Sequence, residues 1–337
     1  MARPLASIRM ADIAKAAGVS PMTVSNSFRN PDLVKKNTRQ KVLETAAAMG
    51  YVPNTMAGNF VSGQSKVVAV VTPSVRYSSF ADMIITLEQT LSAAGYHLII
   101  SLVESPEREP ETLRALVGRR VDGIVIAGEL QDPNARELIV KSGMPMVETW
   151  DLHDDMTDMG VGFSEHDAAV MATEHLIEAG RKRIGMIGLN LLQHRRLRER
   201  LRGFRTAMKQ AGWDDSLVAL VPEQNDYGAG AAGLRSLIAQ SPDLDGIFCM
   251  TDILAVGALF ECQRLGLSVP RRLSVMGYGD YDIAPQIPPG LSTIHTPGDE
   301  IGRAAATLLL NRLDRRPDAK RFHRVNYHLV YRCSVIF

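Results

Sequence analysis

The chain has 337 residues, long enough for a small module plus one or two larger lobes, and 45% of them are hydrophobic, enough for real cores. No run approaches the roughly 18 apolar residues of a membrane span. The first ten residues lack the apolar stretch of a secretory signal, and three scattered cysteines (Cys249, Cys262, Cys333) fit a reducing cytoplasm, not a disulfide frame or a zinc site. Net charge is +1 but unevenly spread: the first 65 residues hold eight basic and three acidic side chains, the rest 30 basic and 34 acidic. A basic head on an acidic body points to a polyanion partner for the head, although charge alone fits a solvated arm equally well.

Residues 8–51 carry short helical periodicities. Ile13, Ala14 and Ala17, then Val24 and Phe28, recur at spacings of three and four. Gly18 ends a first helix, Ser20 is a natural N-cap and Pro21 a natural first helical residue, so a second helix is expected from about Pro21 to Phe28. Small Ala14 lets two helices approach, Gly18 takes the turn and Val24 plugs the core, which is the spacing of a helix-turn-helix. Asn37 is the expected cap of a third helix from Thr38 to Met49, closed by Gly50. At a basic terminus this arrangement predicts DNA binding.

The strings Asp12-Ile13-Ala14, Gly18-Val19-Ser20, Thr23-Val24-Ser25, Thr38-Arg39 and Gly50-Tyr51-x-Pro53-Asn54 resemble the head of the lactose-repressor family, and so does the stretch from Asn54 to Ser65. The N-terminal end of the second helix is expected in the major groove, with Pro21, Met22, Ser25 and Asn26 facing base edges. Thr23, Arg29 and Thr38 are expected at phosphates, where they position without reading sequence. Relatives usually have Arg where this chain has Asn26, and Asn pairs best with adenine, so a changed operator core is expected. The resemblance implies that residues 54–65 form a hinge helix and linker that folds on DNA. Phe60 would be its minor-groove wedge and Ala57 the small residue touching the groove, while Gly58 weakens the helix. A plain linker is the alternative.

From Lys66 onward apolar runs alternate with amphipathic helices. Val67 to Thr72, His97 to Val103, Gly123 to Ala127 and Met146 to Thr149 read as strands, with helices from Phe80, Pro110 and Asn134 between them. The scheme restarts with a helix at Ala168 and strands at Arg183 to Leu189, Val218 to Val221, Gly246 to Met250 and Ser274 to Tyr278. Such alternation predicts parallel sheets with helices on both faces, in two α/β lobes. Ligands of such sheets sit beyond the strand C-termini, here in the cleft between lobes.

Val161-Gly162-Phe163, Arg200-Leu201-Arg202-Gly203-Phe204, Thr251-Asp252, Gly277-Tyr278 and Leu291-Ser292-Thr293-Ile294 extend the resemblance over nearly the whole chain. It implies an all-α helix-turn-helix headpiece (1–53), a hinge and linker (54–65) and a periplasmic-binding-protein-like body (66–337). One lobe would take about 66–163 and 294–322, the other about 164–292 and 324–337. The stretches Phe260 to Leu267 and Asp282-Ile283-Ala284 are most similar to the gluconate-operon repressor branch. Candidate effector residues at strand ends and crossovers are Ser74, Arg120, Glu148, Trp150, Phe163, Arg200, Asp252, Tyr278 and Asp280. Arg200 matches the family arginine that grips the effector, within a run (Arg195, Arg196, Arg198, Arg202, Arg205) that otherwise reads as a solvated face. Arg120 and Arg200 together favour a sugar acid such as gluconate or a ketogluconate. Glu148 keeps a neutral or phosphorylated sugar open, and a nucleobase is a further alternative.

The expected partners are double-stranded operator DNA, a small-molecule effector and a second copy of the chain, with no membrane, cofactor, metal or catalytic residue. No P-loop, G-x-G-x-x-G, H-E-x-x-H or G-x-S-x-G string occurs, and the nearest histidine pair, His323 and His328, extends to no ligand set. A secreted solute-binding protein, which shares the body fold, is a rival disfavoured by the basic head.

Overall fold

The computed structural model describes residues 8–52, 64–75, 78–103, 105–190, 194–222, 225–316 and 320–336. They form two compact units, residues 1–65 and 66–337.

The small unit is three helices: α1 (Met10–Ala17), α2 (Pro21–Arg29) and α3 (Lys36–Ala48). Gly18, at φ 67°, takes the left-handed turn that closes α1. The Ser20 hydroxyl accepts the Thr23 N–H at 3.1 Å and caps α2, with Pro21 at its first position. Ile13, Ala14, Ala17, Val24, Val42 and Ala46 form a closed core, and Phe28 rests against Tyr51 at 6.0 Å. The Arg39 guanidinium donates to the Ser27 carbonyl at 3.2 Å and pins α3 to α2. The third helix begins earlier than expected. Its N-cap is Lys35, with no side-chain cap, and Asn37 lies inside the first turn. The turn Pro31–Leu33 delivers the chain in extended form at Val34, so the backbone sets this start.

The large unit holds two parallel sheets. The first runs β11-β5-β4-β3-β1-β2, built from β1 (Val67–Thr72), β2 (His97–Leu102), β3 (Gly123–Ile126), β4 (Met146–Asp151), β5 (Met159–Phe163) and β11 (Phe322–Arg324). The second runs β7-β6-β8-β9, built from β6 (Ile184–Leu189), β7 (Val218–Val221), β8 (Gly246–Cys249) and β9 (Ser274–Met276). Helices α4 (Ser78–Ala93), α5 (Glu109–Gly118) and α6 (Pro133–Ser142) accompany the first sheet. Helices α7 (Glu165–Glu178), α8 (Arg195–Gln210), α9 (Tyr227–Gln240) and α10 (Asp252–Leu265) accompany the second. An antiparallel pair, β10 (Thr293–His295) with β12 (His328–Val330), carries the chain between lobes.

Three features lie outside the sequence expectations. Strand β5 continues the first sheet where only a crossover was expected. Helix α11 (Gly298–Leu313) packs on α4 so closely that a Cβ on Gly302 would stand 2.1 Å from the Met83 carbonyl oxygen. His323 and His328 fall on β11 and β12, strands of two different sheets. His323 faces Glu300 at 3.7 Å, and the His328 ring lies against His295 at 4.7 Å. Among the described residues no helix is long and apolar enough to cross a membrane.

Candidate functional site

Two sites present themselves. On α2, Pro21, Met22 and Arg29 are exposed, and Thr23, Ser25 and Asn26 are half-buried along the same helix. Met22 is 69% exposed, so its side chain is open to contact from outside the unit. The Thr23 hydroxyl lies 2.9 Å from that of Ser20. Asn30 donates to the Asn26 side-chain oxygen at 3.5 Å. Thr38 is half-buried on α3. Ala57 and Phe60, the expected minor-groove residues, lie outside the described residues, as does Gly58.

The second site is a cleft between the lobes with a volume of about 220 Å³. Four of the nine sequence candidates line it: Ser74, Trp150, Arg200 and Tyr278. Trp150 is held in the left-handed region at φ 81°, and its carbonyl oxygen would be 2.3 Å from a Cβ on Gly162, so glycine is needed beside it. Its ring meets Phe80 edge-on at 5.1 Å. The indole N–H is buried and has no hydrogen-bond partner among the described residues, although indole nitrogens in interiors are normally satisfied.

Arg200 lies over the Tyr278 ring at 3.8 Å and is fully engaged. It holds Glu165 through Nε at 2.8 Å and Nη2 at 3.0 Å, and donates to the Met250 carbonyl at 2.7 Å. Tyr278 adds its hydroxyl to the same carboxylate. Burial opposes the charge on Arg200, but Glu165 and Tyr278 outweigh it and raise its pKa. Burial drives the Tyr278 phenol well above its ordinary value, with Glu165 adding to the effect.

The other five candidates lie elsewhere. Arg120, at φ 57°, precedes β3 and so sits at the strand N-terminal end, opposite the cleft. Glu148 is buried and ties loops together, accepting the N–H groups of Leu130 at 3.1 Å and Thr157 at 2.6 Å. Phe163 is buried at the crossover against Tyr327, 5.2 Å between centroids. Asp252 lies behind the cleft wall, accepting the Thr293 hydroxyl at 2.6 Å and the Tyr281 N–H at 2.7 Å. Burial pushes its pKa up to about 6. Asp280, at φ 53°, is held by Arg332 at 2.7 Å and His295 at 3.0 Å, and its neighbour Gly279 lines the cleft instead.

The sequence reading missed Phe80, Asn225, Thr251 and Tyr281 as lining residues, and gave Arg196 to a solvated face. Thr251 caps α10 and donates to the Asn225 side chain at 2.8 Å. Of the motif Thr251-Asp252, it is Thr251 that lines the cleft.

Residues 9–54 match the pattern described as bacterial regulatory proteins, lacI family, and residues 173–335 match a periplasmic binding protein-like domain. The HTH-type transcriptional regulator GntR of Escherichia coli (strain K12) is 32% identical over 303 residues, 90% of this chain and 91% of that protein. The chain belongs to the lacI family. The regulator GntR of Pseudomonas aeruginosa is 36% identical over 89% of this chain and 87% of its own length. A lacI family regulator from Silicibacter pomeroyi superposes with a TM-score of 0.90 at 28% identity, covering 97% of this chain and 99% of its own. As a lacI family member the chain is a DNA-binding transcription regulator, not an enzyme.

Proposed function

We propose that this regulator is a repressor that binds a pseudo-palindromic operator as a homodimer, and that a hexose-sized, sugar-like effector in the interlobe cleft sets its affinity. The observation that carries the effector part is Trp150. A strained, buried indole whose N–H has no partner among the described residues faces a cavity also lined by Ser74, Asn225 and Thr251. An aromatic wall takes the apolar face of a sugar, and the free donor awaits an acceptor from the ligand. The resemblance to the gluconate-operon branch favours a sugar acid, gluconate or a ketogluconate. The hydroxyl and amide lining favours the second reading, a neutral sugar.

Pro21, Met22, Ser25 and Asn26 read bases, Thr23, Arg29 and Thr38 touch phosphates, and Ala57 and Phe60 enter the minor groove. Dimer formation is supported by Ile85 on α4 with Ile100 and Leu102 on β2, apolar side chains about half exposed on one lobe. Gel shift on genomic fragments at low salt, followed by a thermal-shift screen of sugars and sugar acids, tests the reading. A monomer that shifts no fragment would overturn the operator part. Operator binding that no sugar or sugar acid alters would overturn the effector part. Phe60→Ala should weaken specific binding and leave effector affinity unchanged.

A further inference from the structure

The cleft holds two arginines in opposite states. Arg200 is neutralised by Glu165. Arg196, one helical turn earlier on α8, has no carboxylate and no hydrogen-bond partner among the described residues. Its guanidinium lies over the Phe80 ring at 5.1 Å, and a Cβ on Gly128 would stand 3.8 Å from its Nε. It thus reaches from one lobe across to the other, and lines the cleft beside Trp150.

Among the described residues the carboxylates around it are already engaged. Asp151 is paired with Arg195 at 2.7 Å, Glu129 faces His153 at 3.5 Å, Glu165 holds Arg200, and Asp280 holds Arg332 and His295. Burial, with the nearby Arg200 adding to it, lowers the Arg196 pKa, and Glu165 offsets this only in part. Arg196 is half-buried, and a cation there gains from an anion that a ligand brings to it.

We propose that Arg196, not Arg200, is the residue that selects the effector's carboxylate, and that the effector is therefore an open-chain sugar acid. This rests on the cleft being the effector site. A guanidinium binds a carboxylate through two parallel N–H···O bonds, and in a partly dry cleft few waters compete. The carboxylate would lie near the Phe80 face of the cavity, and the polyhydroxyl chain would extend toward Trp150 and Asn225. Arg200 acts by holding Glu165 and Tyr278 in place, so its loss would damage the cleft wall for acid and neutral ligands alike.

Gluconate and glucitol differ only in the carboxylate, so they separate these roles. Titration of the full-length protein is followed by calorimetry and by tryptophan fluorescence, with Trp150 in the cleft and Trp213 as the other of the two tryptophans. The wild-type protein should bind gluconate about tenfold or more tighter than glucitol, the scale of one charge-assisted pair. Arg196→Gln should bring the two within about twofold, by weakening gluconate and leaving glucitol unchanged, and Arg196→Lys should restore part of the preference. Among the described residues Arg196 has no carboxylate or hydrogen-bond partner to orphan, only the Phe80 ring, so a nearly unchanged melting temperature checks that the variant folds. A tenfold preference that survives Arg196→Gln would overturn the assignment and leave the sugar-acid reading standing. Wild-type protein that binds glucitol but not gluconate would overturn both the assignment and the sugar-acid reading, with the cleft still the effector site. Binding of neither, with no change in tryptophan emission, would overturn the sugar-acid reading together with the assignment.

Discussion

The headpiece and the cleft hold their candidate functional side chains in opposite states. On α2, Met22, Arg29 and Pro21 stand in solvent on a helix anchored by Val24, and few contacts within the unit claim them. In the cleft, Arg200 and Tyr278 are buried, and so are Glu165 and Asp252 behind its wall, and each of these has partners. A surface that reads a long polymer needs side chains free to meet it, held rigidly by a small core behind. A cavity that recognises a small molecule needs polar groups fixed in advance, and fixing them uses most of their hydrogen bonds on one another. What remains without a hydrogen-bond partner among the described residues, here the Trp150 indole and Arg196, is the informative part.

The largest test of this contrast is Glu165→Ala. It leaves Arg200 buried without its counter-charge, and body stability should fall by about 3–5 kcal/mol. Denaturant unfolding would measure this, and Glu165→Leu combined with Arg200→Leu should recover much of the loss. A single-variant loss below about 1 kcal/mol would show that the pair is solvated in solution.

A smaller effect concerns pH. The Asp252 carboxyl has a pKa of about 6 in the folded chain because burial opposes its charge. A carboxyl whose folded pKa exceeds its unfolded one favours the native state at low pH. That contribution is full below about pH 4 and is lost as pH rises to about 6, a change of roughly 2–3 kcal/mol at most. Asp252→Asn should remove this component of the slope between pH 4 and 6 whatever it does to the level. Parallel wild-type and variant curves would show that Asp252 is ionised throughout.

In the headpiece, Val24→Ala opens a gap in a core of six buried residues and should cost about 2 kcal/mol. Operator binding should weaken and effector binding should not, since the two units hold separate cores. The smallest effect is Ser20→Ala, which removes the cap on α2 and should cost about 1 kcal/mol, read as a modest drop in the headpiece melting temperature. A drop as large as that of Val24→Ala would mean that the cap, and not the core, organises the reading helix.

The sequence was legible where structure is local. Gly18, Ser20, Pro21 and Val24 lie within seven residues, and their spacing fixes the turn, the cap and the core plug at once. Strand β1 begins and ends where its run of valines does, at Val67 and Thr72. The third helix was misplaced by two residues because its start has no side-chain cap for the sequence to display. Strand β5, rich in glycine, carries too few apolar side chains to announce itself beyond its motif.

Within the cleft, legibility failed in a consistent way. Asp252, Glu148 and Asp280 have the residue types an effector site would use, but their partners Thr293, Thr157 and Arg332 lie 41, 9 and 52 residues away. Arg196 looked like one member of a solvated arginine run, because nothing in the run itself distinguishes it from Arg195 or Arg200. The amino-acid sequence by itself determined the order of helices and strands, the headpiece, the two parallel-sheet lobes and the family. Tertiary structure alone decided which arginine has a carboxylate among the described residues and which does not. Element formation depends on neighbours a few residues apart, whereas the charge state of a cleft depends on which distant side chains the fold brings within about 3 Å of one another.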